Sequence, residues 1–383
     1  MRDAASDRAG GKTSEVFSGP GRPIGDFTVP VAGARPDVSG ALDAADLPPD
    51  DHAHLRTHWD TPHCTHAQQQ EQMMEAITFP NGQITMAGNL YLPDGAAPGT
   101  RHAAVVVVHP GGGVKEQAAG LYASKLAEQG FVALAFDASF QGDSGGEPHH
   151  LEDPYARVED IRAAVDHIQS LDCVDPERIG TLGVCAGGGY SVSAAMTDYR
   201  IKALTTVSAV NIGTSFRRGW YGTDSDAAAV PTLRALAEQR TAEATKGADP
   251  AYLPYVPPEP DENTPRDLVE AGDYYLTPRA QHPNAKNRFL FTKSVSRIFT
   301  FDAFHMVEDL LTQPILIVAG SEAGSLWMST ELHGRVRSAK RLQIVEGGRH
   351  MSFYDVPEYV DRAVSHAVPF FREHLTGEPA DQG

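Results

Sequence analysis

The sequence has few cysteines, no long apolar runs and a deficit of basic residues. Its 383 residues include three cysteines, Cys64, Cys173 and Cys185, which are too few and too scattered for a disulfide scaffold. No apolar run approaches the ~18 residues that span a bilayer, and the N-terminus lacks the apolar core of a signal peptide. These absences predict a cytoplasmic protein with no membrane segment.

The charge balance excludes two classes of partner. Asp and Glu number 50 against 32 Lys and Arg, which gives a formal net charge of -18. Such a surface repels the phosphates of nucleic acid and of anionic lipid. We therefore expect neither nucleic acid nor membrane as a partner, whereas the sequence leaves open whether the protein forms a homo-oligomer.

Residues 1–75 are rich in Gly, Pro, Asp, Ala and His and show no sustained periodicity, which predicts an irregular N-terminal arm. The arm contains a cluster of zinc-type ligands at His52, His54, His58, His63, Cys64 and His66. Their spacing matches no recognised zinc pattern, so we interpret the arm as solvated and predict no metal, with a zinc site as the alternative.

The remainder of the chain has the pattern of an α/β protein. Two β-rich runs flank Asn81-Gly82, which predicts a hairpin with a type I′ turn. Continuous apolar runs then alternate with helical segments, as in parallel strands covered on both faces; the runs are 103–109, 131–137, 178–184, 202–209, 314–320 and 341–347. Alternation fails over roughly a hundred residues, which predicts an inserted cap at 213–309 between core segments 76–212 and 310–376.

The stretch Gly183-Val184-Cys185-Ala186-Gly187 fits the nucleophile elbow G-x-S-x-G with cysteine in place of serine. Glycines on either side of the central residue let a strand reverse sharply into a helix. The helix N-terminus would lower the pKa of the thiol. The alternatives are a phosphate-binding turn, although the Lys-Ser/Thr of a P-loop is missing, and a small buried cysteine.

An elbow nucleophile requires a base, an acid and oxyanion donors. His350 follows the last predicted strand and is the candidate base, and Glu322 follows the preceding strand and is the candidate acid. Glu322 could alternatively be a solvated loop charge. The backbone N–H of Ala186 and the glycines Gly111 and Gly112 of "HPGGG" are the candidate oxyanion donors, with a plain turn as the alternative for the glycines.

Together these residues resemble the dienelactone hydrolase-like branch of the α/β-hydrolase superfamily. The resemblance rests on "HPGGGVKEQ", "GVCAGGG" and "GGRHMSFYD" and extends over 77–212 and 300–376. It implies a mostly parallel eight-stranded sheet with helices on both faces, and a triad of Cys185, His350 and a carboxylate after the seventh strand. Many relatives carry an Asp slightly later in that loop, where this sequence has Gly324.

A cysteine nucleophile predicts a small-molecule acyl substrate and no cofactor. The acyl-enzyme would be a thioester, and a thiolate paired with an imidazolium would form it. We therefore predict a hydrolase of an ester, lactone or thioester; the alternatives are an acyltransferase with the same triad, acting on an alcohol or amine, and a non-catalytic ligand-binding protein. Candidate pocket walls, otherwise explained as cap packing, are Phe216, Trp220, Tyr221 and Trp327, and Arg217 and Arg218 are candidate anchors for a substrate carboxylate.

Overall fold

The computed structural model describes residues 74–94 and 99–377. The predicted N-terminal arm, with its histidine cluster, lies almost entirely outside the described residues. No helix among those described is both long enough and apolar enough to cross a membrane.

A sheet of eight strands forms the centre of the structure. Its strands are β1 (Met74–Asn81), β2 (Ile84–Tyr91), β3 (His102–Val108), β4 (Val132–Phe136), β5 (Val174–Val184), β6 (Ile201–Val207), β9 (Ile315–Gly320) and β10 (Lys340–Val345). They lie in the order β1-β2-β4-β3-β5-β6-β9-β10. The β1–β2 and β2–β4 pairs are antiparallel, and the other pairs are parallel. The mostly parallel eight-stranded sheet is thus confirmed.

Helices cover both faces of this sheet. They are α1 (Ala118–Ala127), α2 (Pro154–Gln169), α3 (Ala186–Ala195), α4 (Ile212–Arg218), α5 (Val230–Lys246), α6 (Arg266–Leu276), α7 (Phe291–Thr300), α8 (Val307–Leu310), α9 (Leu326–Arg335), α10 (Ser352–Asp355) and α11 (Pro357–Phe371). One apolar layer includes α2 and α3, and the other includes α1 and α11. Alternate residues of β3 enter opposite layers, because successive side chains of a strand point to opposite faces.

The six predicted apolar runs all form strands, within a few residues of their predicted bounds. Five of them are largely or wholly buried, as expected of strands covered on both faces. The exception is β10, which is the edge strand and leaves much of its surface exposed.

The predicted hairpin is present, but its turn differs from the prediction. Asn81 pairs with Ile84, so the central turn residues are Gly82 and Gln83. Of the two, only Gly82 has a positive φ, at 59°. A type I′ turn needs a positive φ at both positions, whereas glycine at the first position alone fits type II′.

The segment between β6 and β9 contains α4 to α8 and a small antiparallel pair, β7 (Tyr252–Leu253) with β8 (Phe289–Leu290). Helix α7 buries Phe291, Val295 and Ile298 against the core. Side chains from this segment also line the pocket above Cys185. The segment therefore covers the carboxyl end of the sheet, and the boundaries 213–309 stay a prediction.

Candidate active site

Cys185 lies at the sharp turn between β5 and α3. Its backbone has φ 55° and ψ -122°, a conformation that residues other than glycine rarely adopt. A Cβ at Gly183 would overlap the carbonyl of Gly187, and a Cβ at Gly187 would overlap the carbonyl oxygen of Val108. Only glycine fits at these two positions, which is the physical reason for the glycine spacing around the cysteine.

Burial favours the protonated form of the Cys185 thiol. Burial raises its pKa above the ordinary value of 9.0, and hydrogen bonding to the Tyr354 hydroxyl and to the backbone N–H groups of Ala186 and Gly111 lowers it only in part. The backbone N–H of Ala186, at the N-terminus of α3, does lower this pKa, as the sequence predicted, but burial has the larger and opposite effect. Desolvation of the thiolate therefore outweighs the N–H groups directed at the sulfur.

His350 follows β10 and is almost fully buried, with 2% of its surface exposed. Burial lowers its pKa to about 4, so the imidazole is neutral at pH 7. Its Nε2 lies 3.2 Å from the hydroxyl of Tyr354. The same hydroxyl is hydrogen-bonded to the thiol of Cys185, so Tyr354 connects Cys185 with His350. Burial therefore favours a neutral thiol and a neutral imidazole over the predicted thiolate–imidazolium pair.

The other ring nitrogen of His350 contacts Ser325 rather than the predicted acid. The Oγ of Ser325 lies 2.7 Å from Nδ1. Glu322 is half-exposed, and its carboxylate lies 3.5 Å from both Arg266 and Arg349. The structure therefore does not bring Glu322 to His350, because the loop after β9 turns that carboxylate toward solvent. Its alternative interpretation as a solvated loop charge describes this geometry.

A carboxylate that the sequence analysis missed lies close to His350. Asp267, in the first turn of α6, is 2% exposed. Its Oδ2 accepts hydrogen bonds from Trp220 Nε1 at 2.8 Å and from the backbone N–H of Gly324 at 2.7 Å. Its charge raises the pKa of His350, against the larger effect of burial. No local sequence signal connects residue 267 with residue 350, since the cap brings them together.

The "HPGGG" loop places one of its predicted donors at the nucleophile. The N–H of Gly111 contacts the thiol, as does that of Ala186. Gly112 instead provides the turn: its φ is 73°, and Gly113 N–H donates to the carbonyl of Pro110 at 3.1 Å. A Cβ at Gly112 would lie 2.7 Å from the ring of Tyr255, so glycine is required there for a different reason from the one predicted.

Buried polar groups hold this loop from below. The guanidinium of Arg157 donates to the carbonyl of His109 at 2.8 Å. Glu152, which is fully buried, lies 3.9 Å from Arg157 and accepts a hydrogen bond from the Tyr255 hydroxyl at 2.7 Å. Because a buried charge is costly unless it is paired, this network constrains the position of the loop.

The pocket above Cys185 is a mostly apolar cavity of about 90 Å³. Its lining comprises Gly111, Cys185, Ala186, Val210, Ile212, Ser215, Phe216, Trp220, Tyr255, Val256, Asp267, Leu268, Ala271, Tyr275, His350, Met351 and Tyr354. Cys185 and His350 thus line one pocket, and no lysine or arginine among the described residues lines it with them.

Two of the four predicted pocket walls, Phe216 and Trp220, line the cavity; Trp220 also contacts His350. Its ring meets that of His350 edge to face, with centroids 4.9 Å apart. Tyr221 is exposed, and Trp327 packs outside the pocket, where its Nε1 donates to the Trp220 carbonyl at 3.0 Å. Arg217 donates to the carbonyls at the end of α7, at 2.7 and 3.0 Å. It is therefore a structural residue of the cap and not a substrate anchor.

One group of carboxylates among the described residues is close enough together to bind a cation, namely Glu116, Asp137 and Asp143. The ammonium of Lys115 lies 2.6, 2.8 and 2.7 Å from them, respectively. The lysine therefore already occupies the centre of this cluster and balances part of its charge.

Comparison with known proteins gives the chain its relatives. Residues 86–210 match the model of the dienelactone hydrolase family. The uncharacterized protein YcjY of Escherichia coli is 47% identical over 307 residues, which cover 79% of this chain and 100% of that protein. The crystal structure of the hypothetical protein PA2218 from Pseudomonas aeruginosa, 35% identical, superposes with a TM-score of 0.74 over 84% of this chain and 99% of that one. The acyltransferase drtE of Aspergillus calidoustus is 25% identical over 304 residues, 77% of this chain and 93% of that protein.

Proposed function

This chain belongs to the dienelactone hydrolase family of α/β-hydrolase enzymes, and from that premise we propose that it hydrolyses an ester, lactone or thioester through an acyl-enzyme on Cys185. One observation carries the proposal. The thiol lies within reach of two backbone N–H groups and of a tyrosine hydroxyl that leads to a neutral, buried histidine. These are the donors and the base that acyl transfer requires.

Acylation begins with the removal of a proton from a neutral thiol. The S–H proton of Cys185 passes to the oxygen of Tyr354 while the Tyr354 proton passes to Nε2 of His350. The sulfur attacks the carbonyl carbon, and the N–H groups of Ala186 and Gly111 bind the oxygen that becomes negative. When the tetrahedral intermediate collapses, the alcohol or thiol leaves with the proton from His350. The acyl group stays on Cys185 as a thioester.

Deacylation uses the same groups. Water gives a proton through Tyr354 to His350, attacks the thioester carbonyl and releases the carboxylic acid, and the sulfur recovers its proton. Because both chemical steps need a neutral imidazole, the low pKa of His350 keeps the base available at neutral pH.

The pocket restricts the acyl group to a small, uncharged one. A cavity of about 90 Å³ is smaller than the ~150 Å³ that accommodates benzene in an engineered apolar cavity. A substrate carboxylate would meet apolar walls and the charge of Asp267, with no lysine or arginine among the described lining residues. We therefore expect substrates whose acyl group carries no free carboxylate.

The test compares two esters of matched acyl length, 4-nitrophenyl butyrate and 4-nitrophenyl hemisuccinate. The wild type should acylate on Cys185 with butyrate, as detected by intact mass, and should turn this ester over at least about tenfold faster than the hemisuccinate. The Cys185→Ala variant should do neither. Equal turnover by wild type and Cys185→Ala would overturn the nucleophile, and no turnover with any acyl donor would favour a ligand-binding protein.

Acyl transfer is the second candidate, because a relative of almost full length is named an acyltransferase. The chemistry differs only in the acceptor, since an alcohol or amine would replace water in the second step. Adding candidate alcohols and amines to the butyrate assay separates the two functions. An acylated product that forms faster than butyric acid would identify a transferase.

A further inference from the structure

We propose that Asp267, on the cap helix α6, is the carboxylate that supports His350, in the role that the sequence pattern assigned to Glu322. The inference rests on the proposed function, because it gives His350 the work of a base. Asp267 acts as a positioning residue, since its hydrogen bonds go to neighbours of His350 and not to the imidazole itself.

The Oδ2 atom of Asp267 is hydrogen-bonded to Trp220 and Gly324, which lie at or next to two of the contacts of the imidazole. It accepts from Trp220 Nε1 at 2.8 Å, and the Trp220 ring packs edge to face on His350. It also accepts from the N–H of Gly324 at 2.7 Å. The next residue is Ser325, whose Oγ contacts Nδ1 of His350. Two of the contacts of the ring, those with Trp220 and Ser325, are therefore supported by one carboxylate oxygen.

The second oxygen of Asp267 is the unusual feature. Among the described residues, Oδ1 is buried and has no hydrogen-bond partner. A buried carboxylate oxygen without a hydrogen-bond donor is costly unless a nearby positive charge compensates it. Here the charge would balance the imidazolium that forms when His350 accepts a proton.

No other group in the pocket supplies that negative charge at neutral pH. The other titratable residues that line the pocket are Asp267 and Tyr275 from α6, Tyr354 from α10, Tyr255 and the elbow residue Cys185. Burial raises the pKa of the thiol and of all three phenols, which favours their protonated forms. Asp267 alone remains as a counter-charge to His350.

Neighbouring ion pairs seat this part of the cap on the core. Arg266 donates to the carbonyl of Glu322 at 2.7 Å, and Glu270 lies 2.8 Å from Arg349. These contacts join the start of α6 to the loops after β9 and β10. The supporting carboxylate is therefore delivered by the cap, so that assembly of the base depends on the cap being in place.

The experiment is the pH profile of kcat/KM for 4-nitrophenyl butyrate in Asp267→Asn. Asparagine can keep both hydrogen bonds through its oxygen, with its amide nitrogen at the unpartnered position. We expect kcat/KM at pH 7 to fall by about tenfold or more. The acidic limb of the profile, where kcat/KM falls as His350 is protonated, lies near pH 4 in the wild type. It should shift to lower pH by about one unit, because the variant lacks the negative charge that raises the pKa of His350. Each assay starts by a jump from neutral pH, so that exposure to acid is brief.

Glu322→Gln is the matched control. It removes one carboxylate from half-exposed ion pairs, so kcat/KM should stay within about threefold of the wild type with an unchanged acidic limb. A large loss in Glu322→Gln together with little loss in Asp267→Asn would overturn the assignment.

The remaining outcomes are also decisive. An Asp267→Asn variant that is slower but has the wild-type limb would indicate a purely structural residue and overturn the inference. Wild-type activity in Asp267→Asn, with Cys185→Ala inactive, would overturn this inference alone and leave the proposed function standing. If circular dichroism finds Asp267→Asn unfolded, Asp267→Glu decides: it retains the charge and should retain the limb, and a limb shifted to lower pH would contradict the proposal.

Discussion

We predict that the rate at which iodoacetamide alkylates Cys185 rises steadily with pH, as it does for a thiol that is protonated at neutral pH. The pKa of Cys185 lies above 9.0 and that of His350 at about 4. Moving the proton from sulfur to imidazole must therefore overcome a difference of at least about 5 pKa units, or roughly 7 kcal/mol. Even two charges 4 Å apart would recover only about 4 kcal/mol at an effective dielectric of 20. Neutral partners are thus favoured at pH 7.

The assay measures alkylation of the Cys185 peptide by mass spectrometry after brief exposure between pH 6 and pH 9. The pKa of the thiol is raised, so the thiolate fraction grows with pH throughout this window. The rate should therefore rise about tenfold per pH unit, because the thiolate is the reactive form. His350→Gln should give the same slope, since a neutral imidazole does not hold the thiolate.

The opposite result would be clear. A resting thiolate–imidazolium pair would give an alkylation rate that is constant from pH 6 to pH 9 in the wild type. The rate at neutral pH would then be much lower in His350→Gln than in the wild type. The relay through Tyr354 would then be unnecessary, and burial would not outweigh the N–H groups directed at the sulfur.

Two further predictions concern the relay and the elbow. Tyr354→Phe removes the hydroxyl that connects Cys185 with His350 and should slow acylation by about tenfold or more. As a control, Tyr122→Phe loses a buried hydroxyl bonded to the Phe353 carbonyl and should acylate at the wild-type rate. Acylation of Tyr354→Phe at the wild-type rate or faster would refute the relay. Gly187→Ala should lower the free energy of unfolding in urea by about 3 kcal/mol, because the new methyl would overlap the backbone at Val108. Gly334→Ala in α9 meets no atom within 4 Å and should be neutral or stabilising by about 0.5 kcal/mol, so similar losses in both glycine variants would contradict the steric argument.

Several features of the site could be predicted because they depend on local pattern and on topology. The apolar runs predict β3 to β6 and β9 and β10, and the carboxyl ends of parallel strands meet at one edge of a sheet. Cys185 and His350 follow two such strands, which explains why both reach one pocket. The glycines around Cys185 are required by backbone contacts within the turn and are therefore visible in the sequence.

Other features depend on contacts between segments that are far apart in the chain. Tyr354 lies one helical turn after His350, a spacing that could have suggested a contact, but its approach to Cys185 follows only from the packing of α10. Arg217 and Glu322 carry the charges suited to their predicted roles, yet each finds its partners elsewhere: Arg217 at the end of α7, and Glu322 at Arg266 and Arg349. Residue type alone does not reveal such competition.

The sequence by itself thus determined the sheet, the elbow and the positions of Cys185 and His350, because each follows from short-range periodicity, glycine sterics or strand order. The tertiary structure decided the protonation state of the site and which carboxylate lies near His350. Both depend on burial and on the seating of the cap, which bring Asp267 beside Gly324 and Trp220 across long stretches of chain. Desolvation is a property of the assembled pocket, and no single segment of the sequence contains it.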